Sequence, residues 1–229
     1  MRRLTLRRLV LICLIPITVE MALAGQARNA RSFGVVEAGI PEMQAALKGN
    51  RTTSRQLVTE YLIRIATYED KLRASITVNP KALQEADALD RERRQGKIRG
   101  PLHGIPIALK DNIHTTDLLT TGGALAFIGL APPYEATLVK NLKEAGAIIL
   151  AKTQLTELAN FVASGMPRNY NALNGYGMNP YAPRRDPREA TDDGRPALST
   201  GGSSSGIGTT ANFWAANVGT ETSGSILTP

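Results

Sequence analysis

Cysteine and histidine are scarce. The single Cys13 cannot close an intrachain disulfide and makes Cys-based zinc or iron–sulfur sites implausible. Two histidines, His103 and His114, leave little material for a His-based metal site. Aromatic residues make up 5% of the chain, and no basic run is interleaved with them, so the net charge of +7 does not describe a nucleic-acid surface. A disordered chain is excluded by the 42% of hydrophobic residues, and a collagen is excluded by the lack of a glycine period. A length of 229 residues suits one large domain or two small ones.

Much of the positive charge lies in an address. Arg2, Arg3, Arg7 and Arg8 precede a short apolar stretch, Leu9–Ile17, and Ala22-Leu23-Ala24 follows with the small-x-small pattern of a cleavage site. A charged head, a short apolar core and a small-residue exit make a secretory signal peptide. The core is too short to span ~30 Å of hydrocarbon as a helix. The organisation expected is therefore a signal peptide over 1–24 and a domain over 25–229. The protein is expected to be exported, periplasmic or secreted, with no stable membrane anchor after cleavage. Residues 1–24 carry four Arg and Glu20, so +7 falls to +4 without them.

The rest alternates in character. Pro41, Met43, Ala46 and Leu47 predict a short helix closed by Gly49-Asn50. Thr53-x-x-Gln56 is a capping box, opening a helix with Leu57, Tyr61, Leu62 and Ile65 on one face. Ala74–Val78 reads as a strand, and Pro80–Arg94 as a surface helix charged on most sides. Ile105–Leu109 reads as a strand ending at Lys110-Asp111-Asn112, Glu135–Ala145 as an amphipathic helix, and Ala147–Leu150 as a short buried strand. Strand, helix and buried strand form the pattern of a parallel α/β sheet. Gly165–Gly202 is a long polar stretch, of a length usually found where loops are functional. A helix is expected over Ile207–Asn217.

Two motifs are look-alikes. Gly146-x4-Ala151-Lys152-Thr153 lacks the glycine that lets a P-loop wrap phosphate, and places Lys152 just past a strand end. Gly202-Ser-Ser204-Ser-Gly206 matches a nucleophile elbow, which would make Ser204 the nucleophile of an α/β-hydrolase-type esterase. That triad needs a histidine downstream, and both histidines lie upstream. A serine can instead be activated by a neutral lysine. Bringing a lysine from about 10.4 to near 7 takes roughly 4.6 kcal/mol, which burial and neighbouring donors must supply. Lys110, at the end of an apolar strand, is placed for that role.

Gly104-Ile-Pro-Ile-Ala-Leu-Lys-Asp-Asn112, Gly201-Gly-Ser-Ser-Ser-Gly206 and Gly219-Thr-Glu-Thr-Ser-Gly-Ser-Ile226 occur in this order. Together they resemble the amidase signature family, with Thr220-Glu-Thr222 similar to its peptide-amidase-like branch. The resemblance implies an α/β fold, a mixed twisted β-sheet flanked by helices. It implies a Ser–cisSer–Lys triad with Ser225 as nucleophile, Lys110 as base and Ser203 as the bridging serine on a cis peptide bond. Ser204 and Ser205 remain alternatives for the bridge, because the Ser203–Ser225 spacing of 22 is shorter than the family's. It also implies an oxyanion hole from the N–H groups of Thr222, Ser223, Gly224 and Ser225. The substrate implied is a small-molecule or peptide amide, with no cofactor and no metal. Family members continue well beyond the nucleophile, so the chain is expected to be the N-terminal part of the fold, or a truncated, non-catalytic remnant. The family also includes the glutaminyl-tRNA amidotransferase subunit, a role against which the signal peptide argues. Oligomeric state is not read from any of these residues.

Overall fold

A computed structural model describes residues 33–163, 165–188, 193–202, 205–222 and 224–227. The expected signal peptide, Ser203, Ser204 and Ser223 lie outside the described residues. The chain divides into two compact units, Met1–Phe33 and Gly34–Pro229, and every element below belongs to the second.

Helix α1 (Ile40–Lys48) carries Pro41, whose ring suits a first turn, and buries Met43, Ala46 and Leu47. Helix α2 (Ser54–Leu72) opens with the expected capping box: Gln56 N–H donates to Thr53 Oγ1 at 3.1 Å, and Thr53 N–H to Gln56 Oε1 at 2.9 Å. Asp90 adds a cap from a distant element. Its carboxylate takes the N–H groups of Ser54 and Arg55 at 2.8 and 3.0 Å. Asp90 belongs to α3 (Ala82–Arg94), which also buries Ala82, Ala86 and Leu89. The charged sequence of α3 thus hides a packed face, and α3 lies against α2 and the sheet.

The main sheet has four strands in the order β1 (Ser75–Val78), β3 (Ile148–Thr153), β2 (Pro106–Lys110) and β6 (Asn217–Val218). Strands β2, β3 and β6 run parallel, and β1 pairs antiparallel with β3. The sheet is therefore mixed, and, like other sheets, twisted. Every residue of β2 and β3 is buried, as parallel strands covered on both faces require. Helix α4 (Thr137–Glu144) makes the crossover between them. It buries Val139 but leaves Leu138 exposed, so its packed stripe is narrower than its sequence suggests.

Three expectations need correction. Strand β3 runs on to Thr153, so Lys152 lies within it rather than past its end, fully buried. The helix α5 covers only Ser205–Thr210. Asn212 takes a left-handed φ of 55°, and Phe213 and Trp214 turn into the core, which stops the helix short of Asn217. The polar stretch after Gly165 is not structureless: β4 (Tyr170–Asn171) and β5 (Gly175–Tyr176) form a hairpin, with the Tyr170 and Tyr176 rings 4.9 Å apart.

Candidate active site

Strand β2 ends at Lys110, and its side chain is fully buried. β6 pairs with β2 through Ala108–Asn217 and Leu109–Val218, so the chain leaving Val218 passes directly beside Lys110. Lys110 Nζ donates to the Thr220 carbonyl at 3.0 Å, and Asn112 Nδ2 donates to Thr220 Oγ1 at 3.0 Å. Thr220 is five residues before Ser225, which ties the two sequence motifs together. Burial holds the Lys110 amine below its ordinary value, opposed by the nearby Glu221 carboxylate.

A brace fixes this strand end. Lys152, on the neighbouring strand, faces Asp111 at 3.3 Å with both side chains fully buried. Lys152 Nζ also donates to Thr120 Oγ1 at 2.8 Å and to the Leu119 carbonyl at 3.1 Å. Asp111 Oδ2 takes the N–H and hydroxyl of Thr121 at 2.9 and 2.5 Å. The residue next to Lys110 is therefore held by its backbone, a cation and a hydroxyl.

Ser225 is half-buried and lies against Gly202. A Cβ at Gly202 would sit 3.0 Å from Ser225 Oγ and 3.5 Å from Thr156 Oγ1. Glycine there keeps the hydroxyl uncovered and brings it beside the Gly/Ser-rich segment. Gly202 is anchored in turn, since its carbonyl takes the Thr156 N–H at 3.2 Å. Thr156 Oγ1 accepts from Asn169 N–H at 2.7 Å.

A small pocket of about 50 Å³ opens at Ser225, walled by Thr156, Ala159, Asn160, Gly202 and Gly224, with Arg168 at its side. Leu158, Ala159 and Asn160 take left-handed φ values of 47°, 55° and 65° in succession. Such backbone is costly outside glycine and tends to gather at functional sites. Leu158 N–H holds it by donating to the Gly122 carbonyl at 2.8 Å, as does Glu157, whose Oε2 takes the Ala172 N–H at 2.8 Å. Thr156, Ala159 and Asn160 are not marked by any of the three sequence blocks that carry the family resemblance.

The turn around Ser225 wraps an acid. Glu221 takes the N–H groups of Gly224, of Ile226 at 2.5 Å and of Leu227 at 3.0 Å. The N–H groups of Ile226, Gly224, Leu227 and Ser225 bring the Glu221 carboxyl down to about 2. Of the remaining sequence candidates, Thr222 is exposed, while Ser203 and Ser223 lie outside the described residues.

The two histidines stand apart from this cluster. His103 is buried, with Nε2 3.0 Å from the Leu89 carbonyl and Nδ1 accepting from Arg99 N–H at 3.2 Å. His114 packs its ring 5.4 Å from that of Tyr134. Among the described residues no group of three or more His, Cys, Asp or Glu side chains is placed to hold a metal, and no helix is long and apolar enough to cross a membrane.

The family model described as Amidase matches residues 56–229. The chain belongs to the amidase signature family. A probable amidase of Arabidopsis thaliana is 41% identical over 211 residues, covering 90% of this chain and 39% of its own length. The peptide amidase of Stenotrophomonas maltophilia has a crystal structure that is 39% identical with a TM-score of 0.71, covering 79% of this chain and 35% of that one. An amidase family protein from Bacillus anthracis is 34% identical with a TM-score of 0.74, covering 84% of this chain and 36% of that one. The chain thus spans less than two-fifths of the length of these amidases.

Proposed function

We propose that the protein to which this chain belongs hydrolyses carboxamide C–N bonds through an acyl-enzyme on Ser225. One observation carries the reading: Lys110, a buried amine at a strand end, is hydrogen-bonded to the backbone five residues before a serine that faces a pocket. In this reading the neutral Lys110 amine draws a proton from Ser203, which draws one from Ser225. The Ser225 oxygen then attacks the amide carbonyl, and the tetrahedral oxyanion is held by N–H groups of the turn Thr222–Ser225. The proton stored on Lys110 returns along the same relay to the departing nitrogen. The C–N bond breaks, and an amine or ammonia leaves. Water, deprotonated by the same route, attacks the ester and releases the acid.

Burial supports the role of the base, because it lowers the lysine toward the neutral form a base requires. The Gly224 N–H of the turn donates to the Glu221 carboxylate in this structure, so in this reading it exchanges that partner for the oxyanion as the substrate reacts. The substrate class in this reading is a small-molecule or peptide amide. Export rests on the charged head, short apolar core and Ala22-Leu23-Ala24 of residues 1–24, and sequencing the N-terminus of the exported protein should find Gly25 or a residue close after it.

The decisive experiment labels the full-length protein with a fluorophosphonate. Label is expected on Ser225, lost in Ser225→Ala and retained in Ser204→Ala. Label on Ser203, Ser204 or Ser205 instead would overturn the assignment of the nucleophile.

A further inference from the structure

Beside the Ser225 pocket lies a larger cavity of about 440 Å³, a size that takes a small organic molecule. Arg168 lines both spaces. Thr200 lines the larger one and Gly202, two residues on, lines the smaller. The two spaces are therefore neighbours along one stretch of chain, with Arg168 shared between them.

The larger cavity has an apolar wall from Met166, Pro167 and Pro196. Among the described residues its charges do not cancel. Asp186 is gripped by Arg188, whose Nε lies 2.9 and 3.0 Å from its two oxygens. Arg195 is matched by Asp193, with Nε at 2.9 and 3.1 Å, and Asp193 also takes the Tyr176 hydroxyl at 3.1 Å. Arg168 is exposed and forms no hydrogen bond or ion pair among the described residues. Among the described residues the cavity thus keeps one planar cation without a paired carboxylate, on a residue that also lines the pocket of Ser225.

We propose that Arg168 selects amide substrates whose acyl part carries a second carboxylate, bound in the larger cavity. The inference rests on the reading of Ser225 as the nucleophile. The acyl part stays in the site through both steps while the amine departs, so a fixed cation beside the serine acts on the portion retained. A guanidinium presents two parallel N–H donors to a carboxylate, a match in geometry as well as charge. The apolar wall accommodates the methylene spacer between the reacting carbonyl and that carboxylate.

The test uses the full-length protein and two matched acyl groups. N-acetylglutamate carries the extra carboxylate, and N-acetylmethionine has a neutral side chain of similar length. By titration calorimetry N-acetylglutamate should bind about tenfold more tightly, a preference typical of one charge-assisted pair at a partly exposed site. Arg168→Gln should erase that preference, Arg168→Lys should keep part of it, and high salt should shrink it in the unaltered protein. With the two α-amides as substrates, the ratio of their kcat/KM values, read as ammonia release, should fall about tenfold in Arg168→Gln. Equal binding of the two acids, or a preference that survives Arg168→Gln, overturns the proposal. Hydrolysis that persists in Ser225→Ala sinks the nucleophile assignment but leaves the binding contrast to stand or fall by itself.

Discussion

Two lysines near the ends of neighbouring strands of the same sheet are held in different ways. Lys110 pairs in register with Thr153, and Lys152 with Leu109, so they sit one rung apart and point to opposite faces. Both are fully buried, and burial lowers both amines. Their partners differ. Lys152 faces a buried carboxylate and also donates to a hydroxyl and a carbonyl. Lys110 has a single hydrogen bond among the described residues, to the Thr220 carbonyl. An ammonium can donate three, so Lys110 keeps capacity that Lys152 has spent. Burial by itself does not make a base; the number of groups that hold the charged form decides whether a buried lysine braces a fold or moves protons.

The comparison breaks first on activity. Lys110→Ala and Ser225→Ala should each lower amide hydrolysis by the full-length protein at least about a thousandfold, the scale of a lost base or nucleophile. Lys110→Arg should not restore it, because a guanidinium stays protonated. Near-normal ammonia release from Lys110→Arg would remove the neutral amine from the mechanism.

Stability should invert the ranking. Lys152→Met strands the Asp111 carboxylate in the core and should cost about 3–5 kcal/mol in chemical denaturation. Adding Asp111→Leu should recover much of that loss, since no charge is then left alone. Lys110→Met removes a buried amine that has no carboxylate in contact, and it should be neutral or stabilising. Equal losses from the two methionine variants would make Lys110 a second brace.

The pH profile gives a subtler discrimination. The proposed mechanism requires neutral Lys110, so kcat/KM should rise with pH through a midpoint below the ordinary lysine value of 10.5. Glu221 opposes that lowering, so Glu221→Gln should move the midpoint further down. The same shift has a sign in stability. The folded state releases its Lys110 proton before the unfolded chain does. The penalty is therefore full below the folded value and relieved as pH climbs toward 10.5. A midpoint unmoved by Glu221→Gln would separate the two groups electrostatically.

The smallest effect belongs far from either lysine. Thr53→Ala removes the cap of α2 and should lower stability by about 1 kcal/mol in thermal melts while leaving the pH midpoint in place.

What could be read beforehand was what is local. The capping box of α2 joins residues three apart, and the apolar runs of β2 and β3 announce buried strands within five or six residues. Lys110 and Ser225 stood out through motifs that the family resemblance explains. Lys152 reads as the end of a buried run because its partner, Asp111, lies far along the chain, just past the end of β2. Helix α5 was overextended because its stop depends on Trp214 folding back onto Gly208, where a Cβ would lie 1.8 Å from the indole ring. The pocket walls at Ala159 and Asn160 come from left-handed backbone in residues that carry no glycine signal. Arg168 gained meaning only once two cavities met at its side chain.

The hydrogen bond from Lys110 to Thr220 spans 110 residues of chain. On a ribosome that makes chain at about 5–20 residues per second, the lysine is in place for roughly 5–20 s before its partner exists. In that interval α2, α3 and the paired β2 and β3 already have the contacts they make with one another, while the pairing of β2 with β6 and the bonds from Arg64 of α2 to the Ala211 and Asn212 carbonyls come later. In the proposed mechanism the lysine waits with no serine to activate. In the proposed mechanism, catalytic competence therefore arrives as a late event in synthesis, after the scaffold has set, and a nascent chain carries no half-formed hydrolase while it is being made.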